Sequence, residues 1–281
     1  MPLARKRRSR RAGTALGAAL ATAATLTATG ALAGASTKPQ PPLRYRPIGC
    51  RVTGTEVAYA HGPSRREVAL SFDDGPSSLT QRFVRMLRAN GAVATFFMIG
   101  EQINPGYRAT LREELRNGDA LGDHTWTHPD LLQSDEVFGQ LKDTREVIRR
   151  ETGYTPCVFR PPYGDYDSFV IATARSLGLA TILWDVDPSD YTLPGVEAIE
   201  QRVLAQVQPG SIIISHDGGG PRLQTLEAYP YIISALRQRG YRFVTVPELL
   251  GFKTVYRPCR LRCEEMAIKG RPPRGSIVER S

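Results

Sequence analysis

From residue 67 to residue 251 the chain alternates two hydrophobic patterns. Short, continuously apolar runs recur at Val68–Phe72, Val93–Ile99, Ala120–Gly122, Val158–Phe159, Ala180–Trp184, Ile212–Ile214 and Phe243–Val246. Such runs predict strands buried on both faces, as in a parallel sheet covered by helices. Between them lie amphipathic stretches that close on glycine. Thr80–Asn90 ends at Gly91, Tyr107–Asn117 at Gly118, Asp135–Thr152 at Gly153, Ser168–Leu177 at Gly178 and Thr225–Arg239 at Gly240, while Val196–Gln206 stops at Pro209-Gly210. A glycine past the last turn supplies the left-handed cap that ends a helix. Seven βα repeats in about 185 residues predict an α/β fold, a distorted (β/α)7-8 barrel with parallel strands inside and helices outside, forming a single catalytic domain over 67–251. An open doubly wound sheet is the alternative. The first strand runs into Asp73-Asp74-Gly75-Pro76 and not into a glycine-rich phosphate loop, so dinucleotide binding has no support.

Charge changes the picture at the ends only. The net charge is +9, but residues 1–37 hold six basic residues and no acid, and 253–281 hold eight basic residues and three acids, which leaves 38–252 at −2. Positive charge confined to the termini, with no aromatic residues interleaved, argues against a nucleic-acid partner. The basic stretch Arg5 to Arg11 precedes a run of Ala, Thr, Leu and Gly with A-x-A-like points at Ala31, Ala33 and Ala35. That layout predicts a cleaved signal peptide over 1–35, and so a secreted or envelope-associated protein with no stable membrane insertion after cleavage. The alternative is an uncleaved anchor, against which the weak hydrophobicity of Ala and Thr argues. Residues 36–66 read as a Pro-rich linker and N-terminal extension, and 252–281 as a basic tail. An exported chain meets oxidising conditions, so Cys50, Cys157, Cys259 and Cys263 are candidates for disulfides. Three pairings are possible, and one that joins Cys50 to the C-terminal pair would tie the domain's ends together.

The polar clusters each follow an apolar run, at the C-terminal strand ends where such barrels carry their sites. Asp73-Asp74 follows the first run, His124 through His128 the third, Arg160-Pro161-Pro162-Tyr163 the fourth, Asp185 through Tyr191 the fifth and Ser215-His216-Asp217 the sixth. Three of the chain's four histidines stand there. His124 and His128 are four apart, so on one helical turn both rings could share a metal. A carboxylate from the first strand end would complete a two-His, one-Asp set that leaves positions open for water. Of Asp73 and Asp74, one could bind the ion while the other takes a proton. Arg160 sits between Phe159 and Pro161, which suits a semi-buried guanidinium paired with an acid. His216 could serve as a general acid.

These residues resemble the five motifs of the polysaccharide deacetylase family, carbohydrate esterase family 4, also called the NodB homology domain. The resemblance covers about Glu67 to Gly251, in family order. It implies Asp73 as the base, Asp74, His124 and His128 as the metal ligands, and Arg160 as the residue that orients the base. It implies an oxyanion donor in the Tyr163 backbone N–H, His216 as the acid and Asp190 as the residue that tunes it. Tyr191, Ile214 and Trp126 would line the substrate pocket. Tyr191 stands where tryptophan is usual, which alters the pocket wall. Ile214 stands where leucine is usual, a volume-conserving change. The resemblance implies a divalent metal, zinc first with cobalt or nickel able to substitute, and an acetylated polysaccharide substrate. N-acetyl groups of N-acetylglucosamine in peptidoglycan lead, with chitin or its oligomers and acetylated xylan as alternatives. A non-catalytic carbohydrate-binding protein is the reading from another class, and a pure binder has no need of the complete ligand set. The protein is expected to be a monomer.

Overall fold

The structure, a computed structural model, describes residues 45–54, 58–258 and 275–279. The expected signal peptide, Cys259 and Cys263 lie outside the described residues. In chain order the strands are β1 (Tyr45–Arg51), β2 (Ala58–Tyr59), β3 (Glu67–Gly75), β4 (Ala94–Met98), β5 (Ala120–Asp123), β6 (Val158–Phe159), β7 (Ala180–Ile182), β8 (Ile212–His216), β9 (Arg242–Phe243), β10 (Lys253–Pro258) and β11 (Ile277–Val278). The helices are α1 (Thr80–Ala89), α2 (Arg108–Asn117), α3 (Val137–Thr152), α4 (Ser168–Ser176), α5 (Val196–Gln206), α6 (Leu223–Gln238) and α7 (Val246–Leu249). Among the described residues, no helix is long and apolar enough to cross a membrane.

The apolar runs form one parallel sheet in the order β2-β7-β6-β5-β4-β3-β8, with β9 also paired to β3. The sheet curls on itself. Past β7, Val186 makes a parallel bridge to Ile213 of β8, and past β2, His61 makes an antiparallel bridge to Ser211. This is the expected barrel, opened and distorted. Its strands bury Leu70, Phe72, Phe96, Leu121 and Ile213 completely. Phe72 is the centre of an aromatic cluster, with ring centroids 5.0 Å from Phe83, 5.4 Å from Phe96 and 4.8 Å from Tyr229. Edge and tilted contacts at these distances add about 0.5–1.5 kcal/mol each beyond burial. They fix α1 and α6 against the sheet. The glycine stops hold: Gly118 and Gly153 cap α2 and α3 at φ 98° and 74°.

Three expectations need correction. The run Phe243–Val246 is strand only to Phe243, because the Thr245 side chain caps Glu248 N–H and Pro247 follows, which starts α7 at Val246. The segments read as linker and basic tail contain strands. β1 and β10 pair antiparallel, β11 adds to β10, and β2 joins the main sheet. Their partners lie far away in sequence, so their local composition conceals them. The disulfide joins Cys50 to Cys157 and does not run to the C-terminal pair. The β1–β10 register explains why. Thr254 stands opposite Cys50, and Pro258 reaches only Tyr45 at the far end of β1. Meanwhile Cys50 N–H donates to the Thr155 carbonyl at 3.2 Å, which brings Cys157 within 5.2 Å, Cα to Cα.

This bridge spans 107 residues. Closing so long a loop removes much freedom from the unfolded chain. The Cys50→Ser/Cys157→Ser variant should lose about 2–5 kcal/mol of stability, read as a lower urea midpoint with a slope that rises as the uncrosslinked unfolded chain exposes more surface. An unchanged midpoint would contradict the account of the bridge as a structural tie.

Candidate active site

The site begins with a defect in β3. Its pairing with β4 slips by one residue between Asp73 and Gly75, and the extra residue, Asp74, takes φ 68°. A bulge of this kind re-aims a side chain at a strand end. It separates two adjacent acids. Asp73 stays in register, opposite His216 of β8, while Asp74 turns aside.

Asp73 faces an arginine. Arg160 Nη1 donates to Asp73 Oδ1 and to Ser71 Oγ, both at 2.8 Å, and Nη2 donates to the Leu183 carbonyl at 3.1 Å. Arg160 is fully buried, with its guanidinium 4.2 Å above the Phe97 ring. A buried charge pair of this kind is maintained only where the remaining donors are met. Here backbone and hydroxyl oxygens meet them, and Asp73 is held in one orientation.

Asp74 meets two histidines. Its Oδ1 lies 3.4 Å from His124 Nε2 and 3.4 Å from His128 Nε2, and the three donor atoms fall within 4.8 Å of one another. Asp74 Oδ1 is buried with no hydrogen-bond partner. His124 Nδ1 lies 2.7 Å from the Arg160 carbonyl, which assigns its proton and leaves Nε2 with its lone pair toward Asp74. Two ligands about 2.0–2.1 Å from one tetrahedral ion stand about 3.4 Å apart, so the donor set fits a divalent cation. The expected helical turn is absent here. The segment from His124 to His128 is a loop in which Thr125 and His128 take φ 68° and 59°. Strained, left-handed positions of this kind cluster at functional sites.

The electrostatics suit a cation. Burial would raise the Asp74 carboxyl, but the close approach and charge of His124, with His216 and His128, hold it well below the usual carboxylate range. Burial and the neighbouring His124 push His128 down, toward the neutral form that ligates. Gly218 and Gly219 let the loop after β8 lie on Asp74, because a Cβ at either would collide with its carbonyl or carboxylate. Arg222 clamps that loop, with Nε on the Gly218 carbonyl at 2.7 Å and Nη2 on the Gly219 carbonyl at 3.1 Å.

His216 is anchored by Asp190. Its Nδ1 lies 2.7 Å from Asp190 Oδ1, and its backbone N–H donates to Oδ2 at 3.0 Å, an oxygen that also accepts from Thr225 Oγ1 at 2.7 Å. Burial would lower the imidazole, but the bond and charge of Asp190, with Asp73 and Asp74, raise it to about 8. Its Nε2 has no hydrogen-bond partner among the described residues. At the mouth, Tyr163 and Tyr191 are 66% and 54% exposed, with ring centroids 4.9 Å from His128 and 5.8 Å from His216. Tyr163 takes φ 61°, and its N–H donates to nothing among the described residues.

The structure therefore brings Asp73, Asp74, His124, His128, Arg160, Tyr163, Asp190, Tyr191 and His216 to one rim. Ile214 is buried one layer below His216 in β8, facing the same side. Trp126 stands between the two histidines in sequence, and its side chain is only partly buried. Its ring packs against Gly100, where a Cβ would stand 2.5 Å from Cε3. Trp184 also stands at this rim, with its ring 5.6 Å from the Arg160 guanidinium and hard against Gly164. Sequence reading missed Ser71, Thr225, Arg222 and Trp184. Ser71 alone had a signal, two residues before Asp73 on the same strand face.

Residues 60–182 match the family model described as polysaccharide deacetylase. A peptidoglycan-N-acetylglucosamine deacetylase of Bacillus cereus is 37% identical over 193 residues, which is 66% of this chain and 89% of that protein. The peptidoglycan-N-acetylglucosamine deacetylase PgdA of Listeria monocytogenes is 35% identical over 215 residues, which is 75% of this chain but 43% of PgdA, so the chain spans less than half of that relative's length. A crystal structure of a peptidoglycan N-acetylglucosamine deacetylase superposes with a TM-score of 0.66 at 32% identity, covering 69% of this chain and 92% of that one.

Proposed function

The chain belongs to the polysaccharide deacetylase family, and from that membership we propose that it hydrolyses N-acetyl groups of N-acetylglucosamine in peptidoglycan, as a secreted or envelope-associated enzyme that needs a divalent metal. One observation carries the reading. Asp73 and His216 are register partners across β3 and β8, each tied to its own buried counter-charge, beside the three convergent donors.

Asp74, His124 and His128 would hold the metal. When bound, the ion would supply Lewis-acid polarisation of the acetyl carbonyl and acidify a water. Asp73, fixed by Arg160, takes the proton from the attacking water as its oxygen bonds to the carbonyl carbon. The unpaired Tyr163 N–H donates to the carbonyl oxygen as negative charge builds there. His216 Nε2 then gives its proton to the nitrogen as the C–N bond breaks, which leaves acetate and a free amine. Asp190 keeps that imidazole charged and aimed.

Peptidoglycan is favoured because both relatives above act on it by name. The test is acetate release from peptidoglycan, chitin oligomers and acetylated xylan by the secreted, metal-loaded protein. The reading expects peptidoglycan to be turned over fastest. Faster release from acetylated xylan would contradict it.

A further inference from the structure

A second concavity is rich in arginine. β1, the turn between α3 and β6, and β10 enclose a cavity of about 470 Å³ whose walls carry Arg46, Arg51, Arg145, Arg149 and Arg257 against one acid, Glu279. Thr155 and Gly153 precede β6, so this cavity stands where the parallel strands begin, and the candidate active site stands where they end.

Two of the five arginines share one carboxylate, and the other three have no ion pair among the described residues. Glu279 lies 2.7 Å from Arg51 and 3.8 Å from Arg257. Arg46 and Arg149 side chains make no hydrogen bond or ion pair among the described residues. Arg145 Nε is buried without a hydrogen-bond partner. Arg46 is held over the C-terminal end of α3, where a Cβ on Gly153 would stand 3.7 Å from both of its terminal nitrogens. Among the described residues, five guanidinium groups against one carboxylate repel one another, and a buried N–H without an acceptor is destabilising. An anion would relieve both. The walls are pre-organised, because the Cys50–Cys157 bridge ties β1 to the turn before β6.

We propose that this cavity binds an anionic polymer through several phosphodiester groups and docks the protein on it while the strand-end site remains free. The size is that of a pocket for a sizeable ligand and not for a lone ion. A surplus of four positive charges among the described residues calls for a ligand that carries several negative ones. Guanidinium forks match phosphate oxygens bidentately, and the tetrahedral oxygens can be approached by Arg46 from β1 and by Arg145 and Arg149 from α3 at once. Among the described residues no aromatic side chain lines the cavity, so none of them offers a base a stacking platform, and the polymer is read by its phosphates.

The test measures binding of a labelled glycerol-phosphate decamer to the full chain at low salt, by fluorescence anisotropy. Binding is expected, and it should weaken as salt rises. Arg46→Gln/Arg149→Gln should weaken it by about tenfold or more, while acetate release from a soluble N-acetylglucosamine oligomer stays at the wild-type rate. A polygalacturonate of equal charge and a thymidine decamer should both bind more weakly than the glycerol phosphate. If the double variant melts below the assay temperature, Arg46→Gln and Arg149→Gln tested singly should each lose about threefold. Wild-type affinity in these variants, no binding at all, or equal binding of polygalacturonate or the thymidine decamer would overturn the proposal.

Discussion

Asp73→Asn should lower acetate release by about 100- to 10,000-fold while leaving metal affinity close to wild type. The geometry separates the two effects. Asp73 points to Arg160 at 2.8 Å, and its nearer approach to a histidine ligand is only 3.8 Å, from Oδ2 to His124 Nε2. Asn keeps an oxygen for Arg160, so the buried guanidinium retains an acceptor beside Ser71 Oγ and the Leu183 carbonyl. The fold should therefore survive at a cost of about 1–3 kcal/mol, which thermal unfolding would register. Only the proton acceptor is lost. Zinc titration and turnover, measured on one preparation, decide the matter. If Asp73→Asn lost the metal and Asp74→Asn kept it, the two roles would be reversed.

His216→Ala should lose most turnover on an amide substrate, by about 100-fold or more, and much less on an activated acetyl ester whose leaving group needs no proton. Equal losses on both would mean that His216 serves structure and delivers no proton. The same assignment fixes a pH dependence. An imidazole raised to about 8 keeps its proton at neutral pH and loses it as pH rises through that value, so the alkaline limb of the pH–rate profile should report this group. Asp190→Asn removes the carboxylate that raises it, so the limb should move to lower pH and neutral turnover should fall. The same ion would be bound in both proteins, so its charge would affect both limbs alike.

Much of this was legible in the sequence, for definite reasons. Buried parallel strands must be apolar on both faces, so β3 to β8 could be read from composition. Catalytic residues of such a fold stand at strand ends, so each polar cluster could be placed by the run before it. The i, i+4 spacing of His124 and His128 pointed to a shared ion, yet it was delivered by a loop with two left-handed residues and not by a helix. The supporting groups stayed hidden. Thr225 reaches Asp190 from the first turn of α6, and Arg222 clamps Gly218 from the residue before that helix. Both contacts come from how α6 docks, which no local pattern encodes. β1 and β10 show the same limit. Each is interrupted by Pro or charge, and each is a strand only because the other lies beside it.

The central claim is that Asp74, His124 and His128 hold an ion without which the other residues cannot act. Acetate release from peptidoglycan should be measured before chelation, after exhaustive chelation and after adding back zinc, cobalt or nickel to the dialysed protein. The account predicts loss of activity on chelation, recovery with about one equivalent of metal per chain, and no recovery in His124→Ala. Full acetate release from protein shown by elemental analysis to be free of metal would contradict it.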